Sequence, residues 1–402
     1  MKEYLYENFR ILAQPAKEIR DVSRFDEGAA ERALRFHRSL PEYRRTELVK
    51  LAYTAERYGV DSIFVKDESS RFGLKAFKGL GGSYCMFRIL CEKLGLDADA
   101  ADYSSFSDDK IRKACSSSIT FATATDGNHG KGVSWAAKIF GCRAHVFMPK
   151  GTVEARRRAV EEAGSATAVI TEMNYDETVR YASRLAEQNG WILIQDTAWD
   201  GYEKIPAWII EGYLTMAAEA EVQMGTKKPT HIFLQAGVGS MAGGIAAYFV
   251  HRAADQMPHI TIVEAEGSDC IYQSAKKKDG QIHTVSDECH TIMAGLNCGT
   301  PCKTVWPILR DCSGFFCACK DCITEAGMRA YASPLAGESS AVVSGESGAV
   351  TYGLLLEILQ SQELRQLFRI DSNSVILLFN TEGDTDPENY ARVTAKKPAT
   401  DI

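Results

Sequence analysis

From about residue 60 onward, short runs rich in β-branched and aromatic residues take turns with longer stretches of helical spacing. The runs Ile63–Lys66, Ile119–Thr123, His145–Met148, Ala168–Thr171, Ile192–Gln195, His231–Leu234, Ile260–Glu264 and Ser374–Phe379 read as strands. A strand followed by a helix can rejoin its own sheet only in parallel, with helices covering the faces. Four runs end by Thr171 and the others follow Trp191, which predicts two sheets. The expected fold class is therefore α/β, with two doubly wound sheet domains carrying helices on both faces. A chain of 402 residues, 45% of them hydrophobic, suffices for two such cores. Upstream, the spacing predicts helices over Ala29–Leu40 and Arg44–Tyr58, broken at Pro41.

Three loops between these elements carry chemistry. In Lys66–Tyr84, KDESSRFGLKAFKGLGGSY, Lys78 precedes Gly79, Gly81 and Gly82 at the start of a helix. A cation is disfavoured at that end of a helix dipole unless something else needs it, and an amine that attacks an aldehyde benefits from a positive surrounding that depresses its pKa. Ala124–Gly130, ATDGNHG, follows a strand and opens another helix. Gln235–Gly244, QAGVGSMAGG, does the same, and its Gly237, Val238, Gly239, Ser240 and Met241 can present backbone N–H groups to a phosphate. Taken alone, this last loop fits a dinucleotide site equally well, with Glu264 at the end of the next strand as the ribose ligand. Neither the Lys78 stretch nor the TDGNHG loop has a role in hydride transfer.

Lysine, asparagine loop and glycine loop in this order resemble the fold-type II pyridoxal-phosphate enzymes, the tryptophan synthase β-like group. Within that group FKGLGGSY, TDGNHG, QDTAWDGY (195–202) and NTEGDTDP (380–387) resemble the diaminopropionate ammonia-lyases. The resemblance implies a small domain at 86–190 inserted into a large cofactor-binding domain of 1–85 with 191–402, and pyridoxal 5′-phosphate in the cleft between them. It implies Lys78 as the Schiff-base lysine, Asn128 as donor to the cofactor's 3′-oxygen, the loop Gly237–Met241 as the phosphate site and Glu346 along the cofactor's edge. Either Asn380 or Thr381 would meet the pyridine nitrogen. Thr125, Asp126 and Gly127 would hold the substrate's α-carboxylate. Related serine and threonine dehydratases mostly carry a small residue where Asp126 stands. An anion there attracts a cation, and with Asp196 it suits the β-ammonium of 2,3-diaminopropionate. Asp196 can alternatively cap the turn that follows it. The implied reaction is elimination to pyruvate and two ammonia, with Lys78 or Asp126 taking the α-proton. A serine/threonine dehydratase or a β-replacement synthase is the alternative within the fold. His129 and Lys75 read as scaffold.

The net charge of −7 argues against nucleic acid or anionic membrane as partner. The N-terminus lacks the apolar core of a signal peptide, and no run approaches a membrane span. A cytoplasmic enzyme of amino-acid catabolism, a homodimer as the family implies, is expected. Seven of the twelve cysteines fall between Cys289 and Cys322. Paired thiolates there can bind zinc, but Phe315–Cys319 reads as a strand whose Cys317 and Cys319 share a face, which favours buried thiols and no metal.

Overall fold

In the computed structural model, residues 1–15, 21–125, 127–253, 256–285, 290–338 and 340–395 are described. Their strands are β1 (Lys2–Leu5), β2 (Phe9–Ala13), β3 (Leu48–Lys50), β4 (Ser62–Asp67), β5 (Thr120–Ala124), β6 (Arg143–Met148), β7 (Ala166–Ile170), β8 (Ile192–Leu193), β9 (His231–Gln235), β10 (His259–Ala265), β11 (Ser313–Cys319) and β12 (Val375–Asn380). Eight form one sheet in the order β1-β2-β11-β10-β9-β12-β4-β3, and four form another, β7-β6-β5-β8. The second sheet is parallel throughout. The first is parallel from β11 to β4 and antiparallel at both ends, where β1, β2 and β3 join.

Every strand read from the sequence is present, shifted by a residue or two at its ends. The helix expected over Arg44–Tyr58 is not. Leu48–Lys50 instead pairs with Phe64–Lys66, and helix begins only at Ala52. The apolar residues there fit a helical period, but Val49 alone is buried in the triplet, as a two-residue period requires. The open edge of β4 offers backbone partners, including the Ile63 carbonyl that accepts from Leu51 N–H, and that pairing overrides the helical spacing. The hairpin β1–β2 was likewise not legible, because β1 has no fully buried residue.

Packing groups the chain into two units, Met1–Glu27 with Arg45–Ser70 and Met216–Ile402, and Gly28–Arg44 with Arg71–Thr215. The second unit runs wider than the 86–190 segment, because the helix Lys78–Leu94 packs within it. Gly81 there lies against Ile209 and Tyr213 with no room for a Cβ.

In the first unit, β12 and the helix Glu346–Gln360 are buried nearly throughout, and Leu354, Leu355 and Ile358 share a core with Phe233, Ile376 and Leu378. That is the pattern of a parallel sheet covered by helices. Beside it, Lys66 is fully buried at the end of β4. Its Nζ lies 2.6 Å from Glu219 and donates to the Thr46 carbonyl and Gln223 Oε1, each at 2.8 Å. Thr46 in turn donates to the buried Glu68 at 2.6 Å. No helix among the described residues is long and apolar enough to cross a membrane.

Candidate active site

Lys78 is the first residue of the helix Lys78–Leu94, after Phe77. Its Nζ donates to Asp196 Oδ2 at 2.5 Å, and its side chain is 19% exposed against 11% for the acid. Burial opposes ionisation of Asp196, yet the Lys78 charge and the His129 ring overcome it and hold the carboxyl well below the usual range. The ammonium also sits 5.2 Å from the ring centre of Phe77 and 5.9 Å from that of Tyr213. Lys78 and Asp196, 118 residues apart, are thus brought together.

What sets Lys78 in place is a seam of glycines. A Cβ on Gly132, in the helix Asn128–Phe140, would lie 2.9 Å from the Lys78 carbonyl carbon and oxygen, and one on Gly82 would lie 3.2 Å from the Gly132 carbonyl. The two helices therefore touch backbone to backbone at the lysine. Gly132→Ala is expected to destabilise the fold by about 1–3 kcal/mol, because backbone rather than a flexible side chain must move. Thermal unfolding checks this, and an unchanged midpoint would show that the seam relaxes freely.

The asparagine loop belongs to the same unit. Thr125 is buried after β5, and its Oγ1 accepts from Gly127 N–H at 3.1 Å. Asn128 opens the helix, with Gly127 as its cap. Asp126 lies outside the described residues. Gln195 fixes the end of β5. Its Oε1 accepts from Ala124 N–H and Thr123 Oγ1, both at 3.1 Å, and its Nε2 donates to the Ala124 carbonyl at 2.9 Å and to Tyr175 Oη at 3.1 Å. Tyr202 Oη accepts from Gln195 N–H and donates to the Leu193 carbonyl, both at 2.9 Å. These contacts place Asp196 one residue beyond a clamp on the end of β5, just before Thr125. Sequence reasoning passed over Gln195, Tyr202 and Gly132. The first two sit inside QDTAWDGY, which was the signal that could have found them.

The remaining candidates lie in the first unit. Between β9 and the helix Ser240–Arg252, Gly239 caps the helix with φ +90°, and a Cβ on it would meet Leu309 at 2.6 Å and Ile271 at 2.9 Å. A Cβ on Gly237 would lie 2.9 Å from Cys298 Sγ and 3.0 Å from the Gly295 carbonyl. Gly237, Val238, Gly239, Ser240 and Met241 thus form a tight turn into a helix N-terminus, the arrangement that favours an anion. Glu264 is committed elsewhere. Its fully buried carboxylate accepts from Ile271 N–H at 2.8 Å and Tyr272 N–H at 2.7 Å, capping a helix, and no ribose can claim it. The dinucleotide reading falls on that observation.

Asn380 and Thr381 end β12 differently. The Asn380 amide donates to Asp67 Oδ1 at 2.8 Å and to the Val343 carbonyl at 2.9 Å, which uses both its hydrogens. Thr381 Oγ1 accepts from Gln235 Nε2 at 2.9 Å, which leaves the hydroxyl its own proton to donate. Glu346 opens the helix Glu346–Gln360, buried, with Asn389 donating to it. Burial and the neighbouring Glu382 push its carboxyl up to about 7. Eleven cysteines are reduced thiols, Cys317 and Cys319 buried in β11 among them, while Cys289 lies outside the described residues. No cluster of three metal-ligating side chains occurs among the described residues.

Comparison with known proteins places this geometry. Residues 40–379 match the family model described as pyridoxal-phosphate dependent enzyme. Diaminopropionate ammonia-lyase of Salmonella typhimurium is 46% identical over 363 residues, 89% of each chain. The crystal structure of holo diaminopropionate ammonia lyase from Escherichia coli superposes with a TM-score of 0.90 at 42% identity, covering 97% of this chain and 98% of that one. The same enzyme in complex with D-serine gives 0.88 at 42% identity, covering 96% of each. The chain belongs to the pyridoxal-phosphate dependent enzymes, in the diaminopropionate ammonia-lyase family.

Proposed function

We propose that this protein converts 2,3-diaminopropionate and water to pyruvate and two ammonia, with pyridoxal 5′-phosphate as cofactor. The observation that carries the reading is the Lys78–Asp196 pair at 2.5 Å, a partly exposed amine at the head of a helix with a nearly buried carboxylate beside it. The residues fit the group. Lys78 supplies a partly exposed amine, the Gly237–Met241 turn a helix N-terminus from which Cβ atoms are excluded, and Thr381 a neutral hydroxyl donor for the pyridine nitrogen. Asn128 would serve the cofactor's 3′-oxygen, and Glu346 would line its edge.

When bound, the cofactor supplies an electron sink for the α-carbon, and a neutral partner at its nitrogen favours loss of the β-group over transamination. Everything else falls to the chain. Thr125, Gly127 and the amides around them bind the α-carboxylate. Lys78 or Asp126 takes the α-proton, according to the face on which it stands. Asp196, with Asp126, attracts the β-ammonium and keeps it protonated, so that it leaves as ammonia. The protein acts as a homodimer in the cytoplasm, a reducing compartment that suits the eleven free thiols found among the described residues.

Borohydride reduction of the cofactor-loaded protein, followed by peptide mapping, tests the lysine. The expected result is a single pyridoxyl adduct on Lys78, and an adduct on another lysine would overturn the assignment. Pyruvate formation from diaminopropionate and from D- and L-serine then separates this reading from a serine/threonine dehydratase, which would prefer serine. Light scattering at two protein concentrations tests the dimer, and a monomer's mass at both would reject it.

A further inference from the structure

Lys78 and His129 both approach one carboxylate oxygen. Asp196 Oδ2 holds Lys78 Nζ at 2.5 Å, and His129 Nδ1 stands 3.9 Å from that same atom. The other ring nitrogen, Nε2, lies 3.1 Å from the Ile194 carbonyl. A carbonyl only accepts, so Nε2 carries the hydrogen and Nδ1 of the neutral ring is a bare acceptor. Nδ1 is buried without a hydrogen-bond partner, in a residue only 4% exposed. A buried polar atom orphaned in this way calls for an explanation, and this one stands beside an ion pair.

Lys78 faces a difficulty that the orphan resolves. To bond with an aldehyde its amine must be neutral, but losing its proton would leave Asp196 as a buried carboxylate with no cation. We propose that His129 is a positioning residue that stores the proton Lys78 sheds, so that Asp196 is never left uncompensated. The proton balance closes. One Nζ–H bond breaks and one Nδ1–H bond forms, and the charges of Lys78, Asp196 and His129 sum to zero before and after. Those are the charged groups that face the ring: Asp196 attracts a proton to it, while Lys78, as long as it is charged, repels one and burial keeps the ring neutral. The store therefore fills only when Lys78 empties. This rests on Lys78 being the lysine that carries the cofactor.

The test reads the imidazole directly. In full-length protein with ¹³C-labelled histidine, the His129 signal is assigned by its loss in His129→Gln and titrated by NMR in the cofactor-free unsubstituted chain and in Lys78→Met, whose side chain is permanently neutral. The midpoint of His129 is expected to rise by at least about one pH unit in Lys78→Met and to fall back in Lys78→Met/Asp196→Asn. An equal midpoint in the unsubstituted chain and Lys78→Met would overturn the proposal. His129→Gln provides a second reading, since its amide keeps the bond to Ile194 and cannot store a proton. Its rate of cofactor attachment, followed by absorbance, is expected to fall about a hundredfold at neutral pH and to recover as pH rises. A loss independent of pH would assign His129 to the scaffold. Mapping of the borohydride adduct to another lysine would reject the cofactor role of Lys78 and leave the histidine titration readable, so the two failures are distinct.

Discussion

Lys78→Ala is expected to lower elimination of 2,3-diaminopropionate by roughly 10⁴-fold or more, the scale seen when a covalent catalyst is removed. The structure adds a second consequence. Asp196 is nearly buried and its carboxyl is held low by the Lys78 ammonium despite the burial. Removing one partner of such a pair withdraws its compensation, at a cost of up to roughly 3 kcal/mol, less whatever a proton on His129 restores. The sign of the pH dependence follows. A carboxyl whose folded pKa is depressed adds stability above its unfolded pKa and loses that contribution as pH falls through the folded value. The gap in unfolding temperature between the unsubstituted chain and Lys78→Ala should therefore be full at neutral pH and close under acid. A gap that stays constant on acidification would mean that Asp196 is not the partner responsible.

Asp196→Asn is expected to cost ten- to a hundredfold more on diaminopropionate than on serine. The substituted amide is nearly isosteric but no longer attracts the β-ammonium, and a charge-assisted hydrogen bond is worth roughly 1.5–3 kcal/mol. Serine's hydroxyl carries no charge, so its kcat/KM reports only what Asp196 does through Lys78. That second share is real, because the acid is hydrogen-bonded to the amine at 2.5 Å. Comparing kcat/KM for the two substrates separates them. Equal losses would assign Asp196 wholly to tuning Lys78 and remove it from substrate recognition. Asp126→Asn in the same assay should discriminate between D- and L-diaminopropionate, if Asp126 and Lys78 are bases on opposite faces.

The parallel strands were legible because a short, continuous apolar run bounded by turn residues suits a strand buried on both faces and little else. The plainest case is β12, VILLFN. Lys78, Asn128 and the Gly237–Met241 loop stand out in the sequence as candidates because each lies where a strand yields to a helix. The triplet Leu48–Lys50 was not, since its apolar spacing also suits a helix and the open edge of β4 decided the matter. Gly132 was missed for a related reason. Inside a helix, glycine signals nothing until the neighbouring backbone is seen 2.9 Å from where its Cβ would be. The sequence likewise leaves Asn380 and Thr381 level, and the proposal favours Thr381 because the Asn380 amide hydrogens are given to Asp67 and Val343.

An aldehyde cofactor is indiscriminate, and every other lysine of the chain is a competing amine. Lys66 stands only twelve positions before Lys78, on the same strand-to-helix stretch. Its ammonium is sealed from solvent and saturated by Glu219, Thr46 and Gln223. Out of reach of solvent, such an amine is closed to carbonyl compounds, as it would be to acylating or carbamylating reagents. Burial thus removes one competing amine close in sequence to Lys78, while Lys75, exposed three residues before it, has to be discriminated by the chemistry of the site itself.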